Sequence, residues 1–159
     1  MEQKGLSNWL KAIIIGTGIC GVIFYLVLVL GIGREIILEY PEFSSWFLPW
    51  AVFIIICLIP CYLTLAMGWR IANNIGNDRS FIMENAVKLD LVSKLAAGDS
   101  VFFFMGNIVL WLCGRNHPGM VIASLFISFA GVVISVGMAV LSHHTRKASE
   151  LQEQSDLTI

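Results

Sequence analysis

Four long apolar runs, separated by shorter polar segments, organise this chain of 159 residues. They cover residues 12–33, 48–69, 95–113 and 120–141. A hydrocarbon core about 30 Å thick is crossed by roughly 20 residues of α-helix, so each run is long enough to span a bilayer. The pattern predicts an all-α polytopic membrane protein in which four transmembrane helices pack as a bundle and form a single integral membrane domain.

The segment between the second and third runs, residues 70–94, has a helical pattern of its own. Its apolar positions recur at helical spacing between Ile82 and Leu89, and no helix breaker separates Leu89 from the third run. We therefore expect a helical hairpin that projects from the membrane. The tail, residues 142–159, is predicted to continue the fourth helix before it frays at its last residues.

The positive charges are distributed unevenly along the chain. Eight of the ten Lys and Arg residues lie at the N-terminus, in the 70–94 hairpin or in the tail, whereas Arg34 and Arg115 occupy the other two connections. Connections rich in Lys and Arg stay on the cytoplasmic side of the membrane. The distribution predicts a multi-pass plasma-membrane protein with both termini and the hairpin in the cytoplasm.

The composition excludes an ordinary soluble domain. Hydrophobic residues make up 57% of the chain, charged residues only 13%, and the mean hydropathy is +0.81, whereas soluble domains carry about 25% charged residues. No G-x-S-x-G, H-E-x-x-H, phosphate-loop or CxxC motif occurs. Adjacent His143 and His144 point in different directions on a helix. We therefore expect no enzyme activity, cofactor, metal site or direct binding of nucleic acid.

A carboxylate interrupts the third apolar run. Asp99 lies beyond Lys94 by about 8 Å at 1.5 Å per residue, so it is inside the membrane near the cytoplasmic surface. The same depth on the other runs is reached by three hydroxyl-bearing residues, Thr17, Thr64 and Ser135. We expect these side chains to form one polar layer with Asp99, and Asn107 to lie two turns further along the third helix.

Asp99 has two interpretations at this stage. It is either a site of proton or ion coupling, or a protonated or hydrogen-bonded side chain that specifies how the helices pack. No second acid and no Lys, Arg or His lies within the four apolar runs. The sequence therefore shows nothing else that would complete a transport site.

Small residues mark one face of the fourth run. They recur at helical spacing along almost its whole length: Ser124, Ser128, Gly131, Ser135 and Ser142. Helices in lipid associate through such faces, because small side chains let backbones approach and hydroxyls form interhelical hydrogen bonds. The stripe predicts the face by which the fourth helix packs against its neighbour.

Three short motifs resemble a known family. FIMEN at residues 81–85, followed by Leu89, resembles the F-[ST]-x-E-N-x-x-x-L signature of the YoaS-like family of small bacterial membrane proteins. EYPEF at residues 39–43 and the terminal SDLTI are similar to further segments of that family. Ile82 departs from the signature, which usually has Ser or Thr there as a helix N-cap; we expect Ser80, just before Phe81, to substitute for it.

The resemblance implies a four-helix integral membrane protein of Gram-positive-type bacteria without an established activity. It also implies regulation, since members are often encoded beside a small helix-turn-helix regulator. We therefore expect a regulatory or immunity-type interaction protein that engages such a cytoplasmic partner. The candidate contact residues form two groups: the motif residues Phe81, Glu84, Asn85 and Leu89, and the tail residues Asp156, Leu157, Thr158 and Ile159.

Two alternative functions stay open. One is a small proton- or ion-coupled transporter subunit, possible as a homo-oligomer, that uses Asp99. The other is an accessory subunit of a larger membrane complex. A transporter would depend on Asp99, whereas a regulator would depend on the motif and on the tail, whose carboxylate and apolar side chains suit a groove with backbone donors.

Overall fold

The computed structural model describes residues 3–156 of the chain, and this part is helical apart from short connections. The elements follow in this order: α1 (Gln3–Ile23), a π-helical segment (Phe24–Ile32), α2 (Gly33–Glu39), a 3₁₀ turn (Pro41–Phe43), α3 (Ser44–Gly76), α4 (Met83–Leu112) and α5 (Pro118–Asp156).

Four helical stretches are long and apolar enough to cross a membrane, which confirms the four predicted spans. They are Gln3–Glu39, Pro41–Gly76, Met83–Leu112 and Pro118–Ser155. Each stretch extends beyond the apolar run that predicted it, because polar flanking residues continue the same helix. The first departs most from expectation, since it passes through the π-helical segment and continues into α2.

The helices form an open row rather than a closed bundle. Within the described residues, α4 packs extensively against α5, α1 packs against α3, and α3 joins the two pairs through α4. The same residues show no close backbone contact between α1 and either α4 or α5. The predicted bundle is therefore open on one side, because α1 is held by α3 alone among the long helices.

The contact between α4 and α5 is the tightest in the fold and uses the predicted stripe of small residues. Ser124, Ser128, Ser135 and Ser142 are all buried. The Oγ of Ser135 donates a hydrogen bond of 2.8 Å to the carbonyl of Ser93, and that of Ser142 donates one of 2.7 Å to the carbonyl of Ala86. These bonds fix two antiparallel helices at close distance, as expected for packing in lipid.

One end of the row, here called the hairpin end, contains the start of α1, the α3–α4 turn and the last part of α5. The Oγ of Ser7 donates a hydrogen bond of 2.6 Å to the carbonyl of Ala72 and thereby ties α1 to α3. A Cβ atom at Gly76 would lie 2.8 Å from that Oγ, so the close approach requires glycine. The predicted 70–94 hairpin is present as the extended ends of α3 and α4.

The opposite end, here called the loop end, contains the α2–α3 connection and the α4–α5 turn. The indole Nε1 of Trp50 donates a hydrogen bond of 3.0 Å to the carbonyl of Arg115. Below it the buried ring of Phe53 stacks on Phe103, with ring centroids 5.8 Å apart. Gly106 lies directly under the Phe53 ring and leaves the space that the ring fills.

Gly106→Ala is expected to destabilise the fold, because a Cβ atom at Gly106 would overlap the ring of Phe53. Overpacking of this kind costs about 1–3 kcal/mol. Gly98→Ala on the same helix is the matched control, since nothing lies within 4 Å of a Cβ atom there. The measurement is the free energy of unfolding in detergent micelles titrated with a denaturing detergent. Equal stability of the two variants would contradict the packing described for Phe53.

Candidate functional site

The α3–α4 turn at the hairpin end is closed by one buried amide. Asn85 is only 1% exposed, and its Nδ2 donates hydrogen bonds of 3.0 Å to the carbonyls of both Arg79 and Ser80. Its Oδ1 accepts a hydrogen bond of 2.7 Å from the Nδ2 of Asn74 on α3. The turn also passes through Asp78, whose φ of 58° lies in the left-handed region. Asn85 thus joins the end of α3, the turn and the start of α4.

The side chain of Ser80 does not cap α4. The residue before the helix is Ile82, with extended backbone angles and no side-chain capping bond, while the hydroxyl of Ser80 lies 3.2 Å from the side-chain amide of Gln3, whose nitrogen donates the hydrogen bond. The carbonyls of Arg79 and Ser80 instead bind Asn85. The side-chain amide therefore holds the turn without a hydroxyl at the position of Ile82.

The four predicted motif residues divide into two pairs. Asn85 and Leu89 are buried one turn apart on the inner face of α4, whereas Phe81 and Glu84 are exposed. Glu84 forms an ion pair with Lys88, and the hydrogen bond from Lys88 lowers the pKa of the Glu84 carboxyl below its usual value. Only the outer pair is available to a partner molecule.

An exposed apolar stripe on α4 was missed at the sequence level. Met83, Val87 and Leu91 are exposed by 40%, 53% and 43%, and they lie at i, i+4 and i+8 on one face. They form a surface that precedes the predicted third span, and we call these three residues the α4 stripe; Phe81, exposed by 58%, lies in the turn just before the helix. The spacing was present in the sequence, but the neighbouring spacing of Ile82, Ala86 and Leu89, of which Ala86 and Leu89 are buried, was the one interpreted.

The tail extends beyond the rest of the hairpin end. Thr145 is the last fully buried residue of α5, and the helix continues to Asp156 with Leu151 exposed by 66%. This agrees with the predicted helical tail. The terminal residues Leu157, Thr158 and Ile159 lie outside the described residues, so their predicted contact role stays a prediction.

Three of the residues expected in the polar layer surround one cavity inside the row of helices. Thr17, Thr64 and Asp99 line a space of about 650 Å³, to which all four long helices contribute. Ser135 does not join them, because its hydroxyl faces α4 and bonds to Ser93. The rotation of α5 directs Ser135 away from the cavity that the other three line.

Asp99 has an unusual set of neighbours. Its Oδ2 lies 3.6 Å from the Sγ of Cys61, which is a weak donor. Its Oδ1 is buried and has no hydrogen-bond partner among the described residues. The position of Cys61 was not anticipated, although its i,i+4 spacing from Cys57 places both thiols on the face of α3 that meets α4.

Asn107 belongs to the loop end and not to the polar layer. Its Nδ2 donates to the carbonyl of Phe103 at 2.8 Å, and its Oδ1 accepts a hydrogen bond of 3.1 Å from the Nδ2 of Asn116. Asn116 in turn accepts, through Oδ1, a bond from the backbone N–H of His117. This network sets the α4–α5 turn, and Asn116 was not predicted because its role depends on the turn geometry.

The remaining chemistry is sparse in the part of the chain that the structure describes. No group of three or more His, Cys, Asp and Glu side chains is gathered as a metal site there. The rings of His143 and His144 are 6.0 Å apart between centroids. A second cavity of about 480 Å³ lies at the loop end, lined by aromatic residues including Trp46 and Trp50.

The chain shares sequence similarity with known proteins. A family model described as "Protein of unknown function (DUF2975)" matches residues 33–159. The chain belongs to the DUF2975 family. It is 26% identical over 110 residues to the "Uncharacterized membrane protein YoaS" of Bacillus subtilis (strain 168), which covers 68% of this chain and 69% of the relative. No solved structure matches the chain significantly.

These findings confirm the YoaS-like resemblance, and the chain is a membrane protein of unknown function. The family match in this DUF2975 protein begins at Gly33, where α2 begins, so α1 lies outside it. The matched part contains the α3–α4 turn and the α4–α5 pair. The FIMEN motif at residues 81–85, which resembles the family signature, therefore lies at the turn that Asn85 closes.

Asn85→Ala in this DUF2975 protein is expected to loosen the α3–α4 turn, because it leaves the carbonyls of Arg79 and Ser80 and the amide of Asn74 without their partner. Loss of such buried bonds costs about 1–3 kcal/mol. Glu84→Gln, at the exposed neighbouring position, is the control and should change little. The measurement is the rate of tryptic cleavage at Arg79 in the folded protein. Unchanged cleavage in the Asn85 variant would show that the turn is held by other contacts.

Proposed function

We propose that this DUF2975 protein is a plasma-membrane interaction protein whose hairpin end faces the cytoplasm and docks a cytoplasmic protein, such as a small helix-turn-helix regulator. The observation that carries the proposal is the exposed α4 stripe. The proposal assigns binding rather than catalysis, because the hairpin end offers an apolar surface and exposed ion pairs.

The orientation is supported by charge and geometry together. Contacts of Ser7 with Ala72 and of Ser142 with Ala86 gather the start of α1, the α3–α4 turn and the end of α5 at one end of the row. These are the three segments that hold eight of the ten Lys and Arg residues. A single orientation therefore satisfies the positive-inside rule at all three.

The α4 stripe suits a helical partner. An apolar stripe at i, i+4 and i+8 that faces water is the kind of surface on which an amphipathic helix docks. Two ion pairs on the same helix, Glu84–Lys88 and Asp90–Lys94, accompany it. Their charges cancel in pairs, so the partner is selected by its apolar face and by a polar rim rather than by net charge.

The tail supplies a second contact in this proposal. The end of α5 projects beyond the hairpin, exposes Leu151, and carries acidic and basic residues on its other faces. A partner that covers the α4 stripe next to this helix would contact both. The predicted tail residues 156–159 belong to this second contact in the proposal.

Cysteine labelling tests the orientation. In a background without the four native cysteines, Glu42→Cys at the loop end should react with a membrane-impermeant thiol reagent in intact cells, because that end faces outward. Asn77→Cys in the α3–α4 turn should react only after the cells are opened. Glu42 and Asn77 are both exposed in the fold, so burial would not explain a difference in labelling between the two positions. Labelling of Asn77→Cys alone in intact cells would reverse the orientation.

Co-purification from bacterial membranes tests the docking surface. Val87→Asp should reduce recovery of the cytoplasmic partner by roughly tenfold, because a carboxylate in the centre of an apolar interface must be desolvated. Asn77→Asp is the matched control, since it adds the same charge at the same end away from the stripe. Deletion of residues 155–159 tests the tail separately.

The expected result is loss of the same protein with Val87→Asp and retention with Asn77→Asp, at equal amounts of inserted protein. Retention of an unchanged set of partners by both variants would refute the docking surface. A partner that proves to be another integral membrane protein would favour an accessory role in a larger complex.

A further inference from the structure

The cavity around Asp99 has the chemistry of a binding site that the proposed docking function does not use. Its volume of about 650 Å³ falls within the range of roughly 300–1,000 Å³ that is usual for small-molecule sites. Its walls are mainly apolar and come from all four long helices. Asp99 is the only charged side chain among the described residues that line it.

Two polar groups that line the cavity with Asp99 are committed to other partners. The hydroxyl of Ser100 donates a hydrogen bond of 2.7 Å to the carbonyl of Ala96, and that of Tyr62 donates one of 2.7 Å to the carbonyl of Gly18. The carboxyl group is left with the weak donor Cys61 and with one buried oxygen that has no partner among the described residues. A carboxylate that served packing alone would be bonded to strong donors in its surroundings.

We propose that this cavity binds a lipophilic organic cation, whose ammonium or equivalent group pairs with the Asp99 carboxylate while its apolar body fills the space between α1 and α5. The ligand must carry one positive charge, because the cavity supplies one carboxylate and no cation. The ligand must also be largely apolar, because the residues that line the cavity are mainly apolar. An inorganic divalent ion would need several further oxygen ligands, which this cavity does not gather.

The open row of helices explains how such a ligand enters. Cys20 of α1, Phe24 at the start of the π-helical segment and Ile134 of α5 line the cavity and are exposed within the apolar spans. Since α1 makes no close backbone contact with α5, the cavity opens sideways between them into the lipid. A lipophilic cation that partitions into the membrane therefore reaches Asp99 without crossing the hairpin end.

Equilibrium binding to the full-length protein in phosphatidylcholine nanodiscs tests the site. The probe is radiolabelled tetraphenylphosphonium, and tetraphenylborate, which has a similar size and shape and the opposite charge, is the matched control. Binding to empty nanodiscs is subtracted. We expect saturable binding of the phosphonium and no saturable binding of the borate, because only the cation pairs with the carboxylate.

Two variants assign the binding to the cavity. Asp99→Asn should weaken phosphonium binding by about tenfold or more, because it removes the charge at nearly constant shape. Asp90→Asn removes the same charge from the exposed part of α4 and should leave binding unchanged. Thr17→Trp fills the cavity from α1 and keeps the Asp99 carboxylate, and it should also abolish phosphonium binding. The site can therefore still be tested if the Asp99→Asn variant does not fold.

The outcomes decide the proposal. Absence of saturable phosphonium binding by the wild-type protein would overturn it, as would equal binding of phosphonium and borate or full binding by a folded Asp99→Asn or Thr17→Trp variant. The result is separate from the docking function, because Val87→Asp should lose the protein partner and keep phosphonium binding.

Discussion

In lipid, no hydrophobic driving force brings two apolar helices together. The fold therefore depends on surfaces at which helix backbones approach closely. The α4–α5 contact is that surface in this protein. Two of its buried serine hydroxyls bond to backbone carbonyls of the facing helix, Ser135 to Ser93 and Ser142 to Ala86. The two helices thus form a rigid pair on which the other contacts are built.

The remaining helices are attached to this pair one after the other, α3 to α4 and α1 to α3. Helix α3 is joined to α4 at the loop end by the stacked rings of Phe53 and Phe103, and at the hairpin end by Asn74 and Asn85. Helix α1 is attached only to α3 among the long helices described. This order leaves the cavity around Asp99 open beside α1 and leaves the outer face of α4 uncovered at the hairpin end.

Periodicity and hydropathy were sufficient for the four spans, for the continuous α5 helix and for the serine stripe, because each depends on one helix at a time. They were not sufficient for contacts that depend on which helices are neighbours. Thr17, Thr64 and Asp99 line one cavity, whereas the rotation of α5 turns Ser135 toward Ser93. The pairing of Asn107 with Asn116 depends on a turn whose geometry no spacing rule describes.

The way in which α1 is held has a consequence for sequence divergence. Its bonds to α3 involve one backbone partner each: Ser7 donates to the carbonyl of Ala72, and the carbonyl of Gly18 accepts from Tyr62. A carbonyl offers the same acceptor whatever side chain its residue carries. Apolar substitutions at most outward positions of α1 would therefore leave both hydrogen bonds to α3 in place.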